Sequence, residues 1–164
     1  MASDSSFDIV SDFDMQELRN AVDQVKKEIL TRYDFRGVTA EIDLNEDDIT
    51  VVASDTMKLK AIQDMLLQKV INRKLSPKIL EVQEHEPAAG MTLKQIVKLV
   101  KVLDQETCKQ ITKLIKENFP KVRGSIQETT VRVSSKSKDD LQAVMAFLRQ
   151  NGTFKAPLKF TNYR

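Results

Sequence analysis

The chain contains no tryptophan, one histidine, one cysteine, four glycines and four prolines, and each scarcity removes a class of chemistry or architecture. A lone cysteine, Cys108, forms no internal disulfide, and its place on the apolar stripe of a helix argues against a reactive thiol. The single histidine sits in Glu84-His85-Glu86, where neighbours in an extended chain point to opposite faces and so make a poor metal site. Four glycines build neither a phosphate-cradling glycine loop nor a dinucleotide fingerprint, so any nucleotide must be held by side chains and helix ends. With aromatics at 5%, an exposed base-stacking platform is not expected. No apolar run approaches a membrane span. Met1 to Ser6 lacks the basic and apolar regions of a signal peptide, so the cytoplasm is the expected compartment. With neither a nucleophile elbow nor an activated cysteine, no enzymatic activity, cofactor or metal is expected.

What is present is a repeat. Ile49, Val51, Leu59, Ala61, Ile62, Met65 and Leu66 match Val131, Val133, Leu141, Ala143, Val144, Phe147 and Leu148 in residue class at an offset of 82. Val22, Val25 and Ile29 match Cys108, Ile111 and Ile115 at an offset of 86, and Arg36-Gly37 matches Arg123-Gly124 at 87. A hairpin five residues shorter in the second copy would account for the difference. Each copy reads β-α-β-β-α-β. In the first, Phe7 to Val10 alternates as a strand, Asp14 caps a helix carrying Leu18, Val22, Val25 and Ile29, and a hairpin turns at Asn45 to Asp48. Leu59, Ile62, Leu66 and Val70 stripe a second helix, and Lys78 to Glu84 forms a strand burying Leu80 and Val82. In the second, Ile96 to Val102 is a strand by analogy, Asp104 caps a helix to Asn118, and Ser125 to Ser134 is the hairpin. A helix from Asp139 to Gln150, started by Ser137, then leads to a closing strand with Leu158 and Phe160.

That order predicts an α+β fold: a tandem of two ferredoxin-like modules with antiparallel sheets, residues 1–88 and 89–164, joined by a linker at His85 to Gly90. Exchange of terminal strands between the modules is left open by the sequence. The net charge of +2 hides a polarity, since residues 1–88 hold 11 basic against 18 acidic side chains and residues 89–164 hold 15 against 6. The first module is therefore acidic and the second attracts polyanions.

The basic module supplies most candidate binding residues. Lys109, Lys113 and Lys116 share one helix face, Arg123 and Lys136 belong to the same module, and Arg132 is placed on the open face of the sheet, away from Val131 and Val133. In the first module, Thr31-Arg32-Tyr33-Asp34-Phe35-Arg36-Gly37 gathers two arginines and two aromatics. Either Arg32, Tyr33 and Arg36 clamp a base and a phosphate, or one of Tyr33 and Phe35 plugs the core while Asp34 pairs with an arginine.

At these residues the chain resembles the YajQ family of bacterial proteins. The resemblance rests on Phe7-Asp8-Ile9-Val10-Ser11, the Thr31 to Gly37 segment, Lys109 to Lys113, Val131-Arg132-Val133, Lys138 to Val144 and the terminal Phe160-Thr161-Asn162-Tyr163-Arg164. It implies a tandem of ribonucleoprotein-like modules that binds a nucleotide, with cyclic di-GMP receptor activity attributed to some members and a protein or DNA partner downstream. The competing expectation is an RNA or DNA binder that uses the basic module. No catalytic residues come with the resemblance, and no membrane partner. If the ligand is a cyclic dinucleotide, Arg36 and Arg123 at matched repeat positions would give a quasi-twofold site between modules.

Overall fold

The computed structural model describes residues 4–151 and 153–164; the first three residues of the N-terminal stretch considered above lie outside them. The elements run β1 (Ser5–Val10), α1 (Met15–Thr31), β2 (Ala40–Leu44), β3 (Asp48–Ala53), α2 (Thr56–Asn72), β4 (Leu80–Val82), β5 (Glu86–Ala88), β6 (Thr92–Leu99), α3 (Gln105–Asn118), β7 (Arg123–Gln127), β8 (Thr130–Ser135), α4 (Lys138–Gln150) and β9 (Lys159–Thr161). Short polar side chains start the helices, at Asp14, Asp104 and Ser137 as the sequence indicates and at Asp55 besides. Asp14, Asp55, Asp104 and Ser137 each accept a backbone N–H of the first turn of α1, α2, α3 and α4. Among the described residues, no helix is long and apolar enough to cross a membrane.

The chain divides into two compact units, and the division does not follow the expected boundary at residues 88 and 89. One unit is Phe13–Val100; the other combines the segment up to Asp12 with Lys101–Arg164. Each holds an antiparallel sheet and two helices. In the first unit the strand order is β2-β3-β6-β4, with β4 and β5 both pairing with β6. In the second it is β7-β8-β1-β9. Both are the ferredoxin-like order, but the strand beside the hairpin comes from the other repeat: β1 precedes α1 yet pairs with β8 and β9, and β6 precedes α3 yet pairs with β3 and β4. Both strands offer alternating apolar residues to a central slot, Phe7 and Ile9 in β1 and Val97 in β6, so periodicity does not say which sheet each one enters. The exchange also softens the charge polarity. Residues 13–100 carry 13 basic against 15 acidic side chains, a balance of −2, while residues 1–12 and 101–164 carry 13 against 9, a balance of +4.

The expected linker is also structured. Glu86–Ala88 forms β5 and doubles back through Gly90, whose positive φ of 73° suits a residue without a side chain, to pair with β6. The strand expected at Lys78 to Glu84 shortens to Leu80–Val82 behind a 3-10 turn, Pro77–Ile79, and Ile79 takes the core position expected of Val82, which is half-exposed.

Strand register corrects the repeat alignment. Ile42 pairs with Val51 in the first hairpin and Gly124 with Val133 in the second, so both hairpins are related by a single offset of 82. The residues lost from the second copy come from the helix-to-hairpin connection, which runs from Thr31 to Ala40 in one repeat and only from Asn118 to Arg123 in the other. Gly37 turns that longer connection at a φ of 73°, whereas Gly124 is a strand residue beside Thr112. Arg123 is therefore the counterpart of Glu41, not of Arg36, and the quasi-twofold arginine pair expected from the sequence loses its basis.

Helices pack on one face of each sheet. Leu18, Val22 and Val25 of α1 and Leu59, Ile62 and Leu66 of α2 cover Ile42, Ile49, Val51 and Val97. In the second unit Cys108, Ile111, Ile115, Leu141, Val144 and Leu148 are buried together with Phe7, Ile9, Val131 and Val133. On the opposite face of that sheet lies a buried carboxylate, Asp8, only 6% exposed. Arg132, its cross-strand neighbour, donates from Nε at 3.1 Å, and the Asn162 amide donates to the other oxygen at 3.0 Å. Asn162 reaches it through a bulge: Asp8 pairs with Thr161, but Ser6 exchanges both backbone hydrogen bonds with Arg164, so β9's continuation gains a residue at Asn162, whose φ is 53°. Asparagine tolerates that left-handed conformation better than most residues. Burial alone would raise the Asp8 pKa, but hydrogen bonds from Asn162 and Arg132 and the charges of Arg132 and Arg164 hold it below the ordinary value.

Two outcomes follow from this architecture. Phe7→Ala, which removes a fully buried ring from a central strand, is expected to cost about 3–5 kcal/mol, and hydrogen exchange should show protection lost first at Val131 and Val133; loss at Ile49 and Val51 instead would contradict the strand exchange. Because the Asp8 pKa is lowered in the folded state, its stabilisation is present above the unfolded-state value of about 3.9 and disappears as pH falls through the lower folded value. Denaturation midpoints should therefore fall with acid more steeply in the wild type than in Asp8→Asn, which at neutral pH should be less stable by roughly 1.5 kcal/mol through the loss of charge-assisted hydrogen bonds, the half-exposed Arg132 being left partly solvated.

Candidate anion-binding site

The candidate residues singled out in the sequence fall into separate places. In the unit Phe13–Val100, Arg32 is already engaged: its guanidinium grips Asp34 at 2.9 and 3.0 Å, approaches Glu28 at 3.9 Å and lies 5.3 Å from the Phe35 ring centre. The Asp34 carboxyl is held below its usual range by that hydrogen bond. Phe35 is buried, so for Arg32, Asp34 and Phe35 the structural alternative is the one observed. Tyr33 and Arg36 differ. Tyr33 is 82% exposed, with the Arg36 guanidinium over its ring at 5.4 Å, a stacked pair that presents a flat face and a charge to solvent.

In the other unit, Arg132 has its charge met by Asp8 and remains half-exposed. Lys113, Arg123 and Lys136 are brought together instead by two adjoining cavities. One, about 380 Å³, lies between α3 and the edge strand β7 and is lined by Thr112, Lys113, Lys116, Val122, Arg123 and Gly124. The other, about 590 Å³, is lined by Lys121, Arg123 and Lys136, by the hydroxyl residues Ser134, Ser135 and Ser137, and by Asp4 and Asp140. Arg123 lines both. The sequence explains how it stands there. Arg123 opens β7 directly after the short connection from α3, with Val122 buried as the anchor behind it. A Cβ on Gly124 would sit 3.5 Å from Thr112 Cγ2 and 3.8 Å from Ile115 Cδ1, so the strand runs close to α3 and keeps Lys113 and Lys116 beside it.

The larger cavity opens on the start of α4. Ser135 Oγ accepts from the Ser137 N–H, and Ser137 Oγ accepts from the Asp140 N–H, an arrangement that orders the turn carrying Lys136. The partial positive charge of a helix start adds to that of three cationic side chains. Asp4 and Asp140 bring acceptors to the same rim, suited to hydroxyl or N–H donors and not to phosphate. The site thus offers cations for an anionic group and carboxylates for a sugar or base edge. Lys116 belongs to the lysine face of α3 and Lys121 to the basic residues of the second module, both legible in the sequence; that Lys121 lines the same cavity as Ser134 to Ser137 follows from the short connection between α3 and β7.

Elsewhere, Cys108 is fully buried, and burial together with the Asp104 charge pushes its thiol up, which disfavours the thiolate at neutral pH. His85 is exposed on the lining of a small cavity with Thr56, Leu59, Lys60, Gln63, Val82 and Gln95. Among the described residues, no group of three or more His, Cys, Asp or Glu side chains gathers to hold a metal ion.

Known proteins resemble this chain over its whole given length. A protein from Trichodesmium erythraeum is 52% identical over 164 residues, covering all of both chains, and carries the name nucleotide-binding protein. Proteins of the same name from Picosynechococcus and Chloroflexus aurantiacus are 46% and 44% identical, again over the whole of both chains. The model of the family described as nucleotide-binding protein YajQ-like matches residues 5–164, and the chain belongs to that family.

Proposed function

We propose that this protein is a non-enzymatic nucleotide-binding protein of the cytoplasm, and that the phosphates of its ligand sit around Arg123. The observation that carries the reading is the pair of basic cavities sharing that one guanidinium, with Lys113 and Lys116 on one side and Lys121, Lys136 and the α4 start on the other. Two anion subsites joined by one arginine suit a ligand with two phosphates, and the cyclic dinucleotides, cyclic di-GMP among them, belong to that class. Arginine binds phosphate through two parallel N–H groups, while lysine serves as a point charge. Asp4 and Asp140 would accept from the sugar or from a base N–H, a preference that a bare phosphate polymer does not exploit. The relatives named nucleotide-binding proteins support the ligand class.

The second reading, an RNA or DNA ligand, is favoured by the lysine face Lys109, Lys113 and Lys116 of α3, which continues the basic surface past the cavities. Tyr33 with Arg36, on the other unit, is a further place where a base could stack. Binding of this kind would hand the signal to a regulatory protein or DNA partner only in the small-ligand case; in the polymer case the nucleic acid is itself the partner.

Calorimetry against GTP, ATP, cyclic di-GMP and a short single-stranded RNA at two salt concentrations separates these. The expected result is saturable binding of one small nucleotide, weakened about tenfold or more by Arg123→Ala, since a lost charged hydrogen bond is worth roughly 1.5–3 kcal/mol. Lys136→Ala should weaken it less, and circular dichroism should show both variants folded. Affinity that rises with RNA length and falls steeply with salt, by roughly one unit of slope per phosphate contact, supports the polymer. Unchanged binding in folded Arg123→Ala removes the cavities from the site.

A further inference from the structure

The groove that holds Lys113 and Arg123 has a counterpart in the other repeat, and the chemistry of the two is opposed. With helices related by an offset of 86 and hairpins by 82, Thr112, Lys116, Val122, Arg123 and Gly124 correspond to Lys26, Leu30, Ala40, Glu41 and Ile42. These five line a cavity of about 270 Å³ between α1 and β2, together with Ile29 and Asp43. Where one copy presents Lys116 and Arg123, the other presents Leu30 and Glu41. Leu30 is 83% exposed, an unusual position for a leucine unless something covers it.

The backbone beside this groove is an edge. β2 stands at the end of its sheet with β3 as its neighbour, so its outer side is a template for one more strand. Its side chains alternate: Ile42 is buried on the helix side, while Glu41 and Asp43 are exposed. Asp43 already holds a cation, since Lys26 of α1 reaches it at 3.5 Å. We propose that the groove between α1 and β2 docks an extended segment of a partner protein, adding a strand to β2, with lysine or arginine side chains beside Glu41 and Asp43 and an apolar side chain between them set against Ile29 and Leu30. Backbone hydrogen bonds along the edge give such a complex its affinity, and the alternating pockets its selectivity.

Charge decides against the other occupants. A phosphate-bearing ligand meets two carboxylates here. A second copy pairing β2 with β2 would bring Glu41 and Asp43 against their own kind, and the edge β7 of a second copy offers one cation and, at the position that should fill the groove, Gly124.

The test uses the full chain and two fluorescently labelled peptides, one alternating lysine and valine and one alternating glutamate and valine, with a lysine-valine peptide of the same composition in two blocks as the control. Anisotropy should show saturable binding of the alternating lysine peptide and slowed amide exchange along β2. Leu30→Glu should weaken it about tenfold, as expected for loss of a buried anchor. The double variant Glu41→Lys, Asp43→Lys should reverse the preference to the glutamate peptide, a gain that an unfolded protein does not produce. The proposal is overturned if the wild type binds no peptide, if the block peptide binds equally well, if the double variant keeps the lysine preference, or if β2 is protected in the absence of peptide in step with concentration-dependent dimerisation.

Discussion

The fold depends on which strand fills the central slot of each sheet. A ferredoxin-like sheet without its first strand is a hairpin and a distant edge strand with nothing between them; the ladder from β8 to β9 exists only because β1 lies in it, and that from β3 to β4 only because β6 does. The chain therefore begins one unit, builds the whole of the other, and returns to finish the first. The unit Phe13–Val100 is contiguous and takes its central strand from the start of the next repeat, whereas the other closes only when β1 pairs with β8 and β9 at the far end of the chain, a non-local pairing that costs loop entropy before it is rewarded. Burial of Phe7, Ile9 and Val97 offsets that cost, and Phe7 adds an edge-to-face contact with Phe160 at 5.5 Å.

The exchange also sets the electrostatics of the open face in the unit that holds the basic cavities. Asp8 arrives on β1 beside Arg132 and neutralises it, and the bulge at Asn162 closes the other side of the carboxylate. A free arginine in the middle of that face would have been the natural anchor for a phosphate. With Arg132 committed to the fold, the cations left to a ligand are those at the margin of the sheet, where β7 meets α3 and where β8 leads into α4. The candidate site of this unit therefore lies at the sheet edge and the helix start, not on the sheet face that ribonucleoprotein-like modules are expected to use.

Much of this was legible locally. Asp14, Asp104 and Ser137 announce their helices because a cap is a matter of a few consecutive residues, and the alternation at Ile49, Val51 and Ala53 announces a half-buried strand. Arg132 could be placed on the open face from Val131 and Val133 alone. Its partner could not, since Asp8 is 124 residues away and belongs, by repeat, to the other module. The Arg-Gly match misled for a related reason. A dipeptide is too short to fix register, and only the pairing of Ile42 with Val51 and of Gly124 with Val133 shows that Arg123 stands where Glu41 does. Whether Arg32 faced a ligand or Asp34 was open in the sequence because both readings use the same residues; in the structure Asp34 holds its guanidinium through two hydrogen bonds.

Correct register changes what the duplication means. On the dipeptide alignment the two copies keep an arginine in common, and a symmetric site is the natural inference. On the structural alignment the shared feature is a groove between a helix and an edge strand, and what differs is its charge: Lys116 and Arg123 in one copy, Leu30 and Glu41 in the other. A duplicated groove whose rim carries Lys116 and Arg123 in one copy and Leu30 and Glu41 in the other does not favour the same chemistry twice. The pseudo-symmetry of the backbone is thus a guide to where the two grooves lie and a poor guide to their chemistry, because the backbone fixes the slot while a handful of side chains at its rim decides its charge.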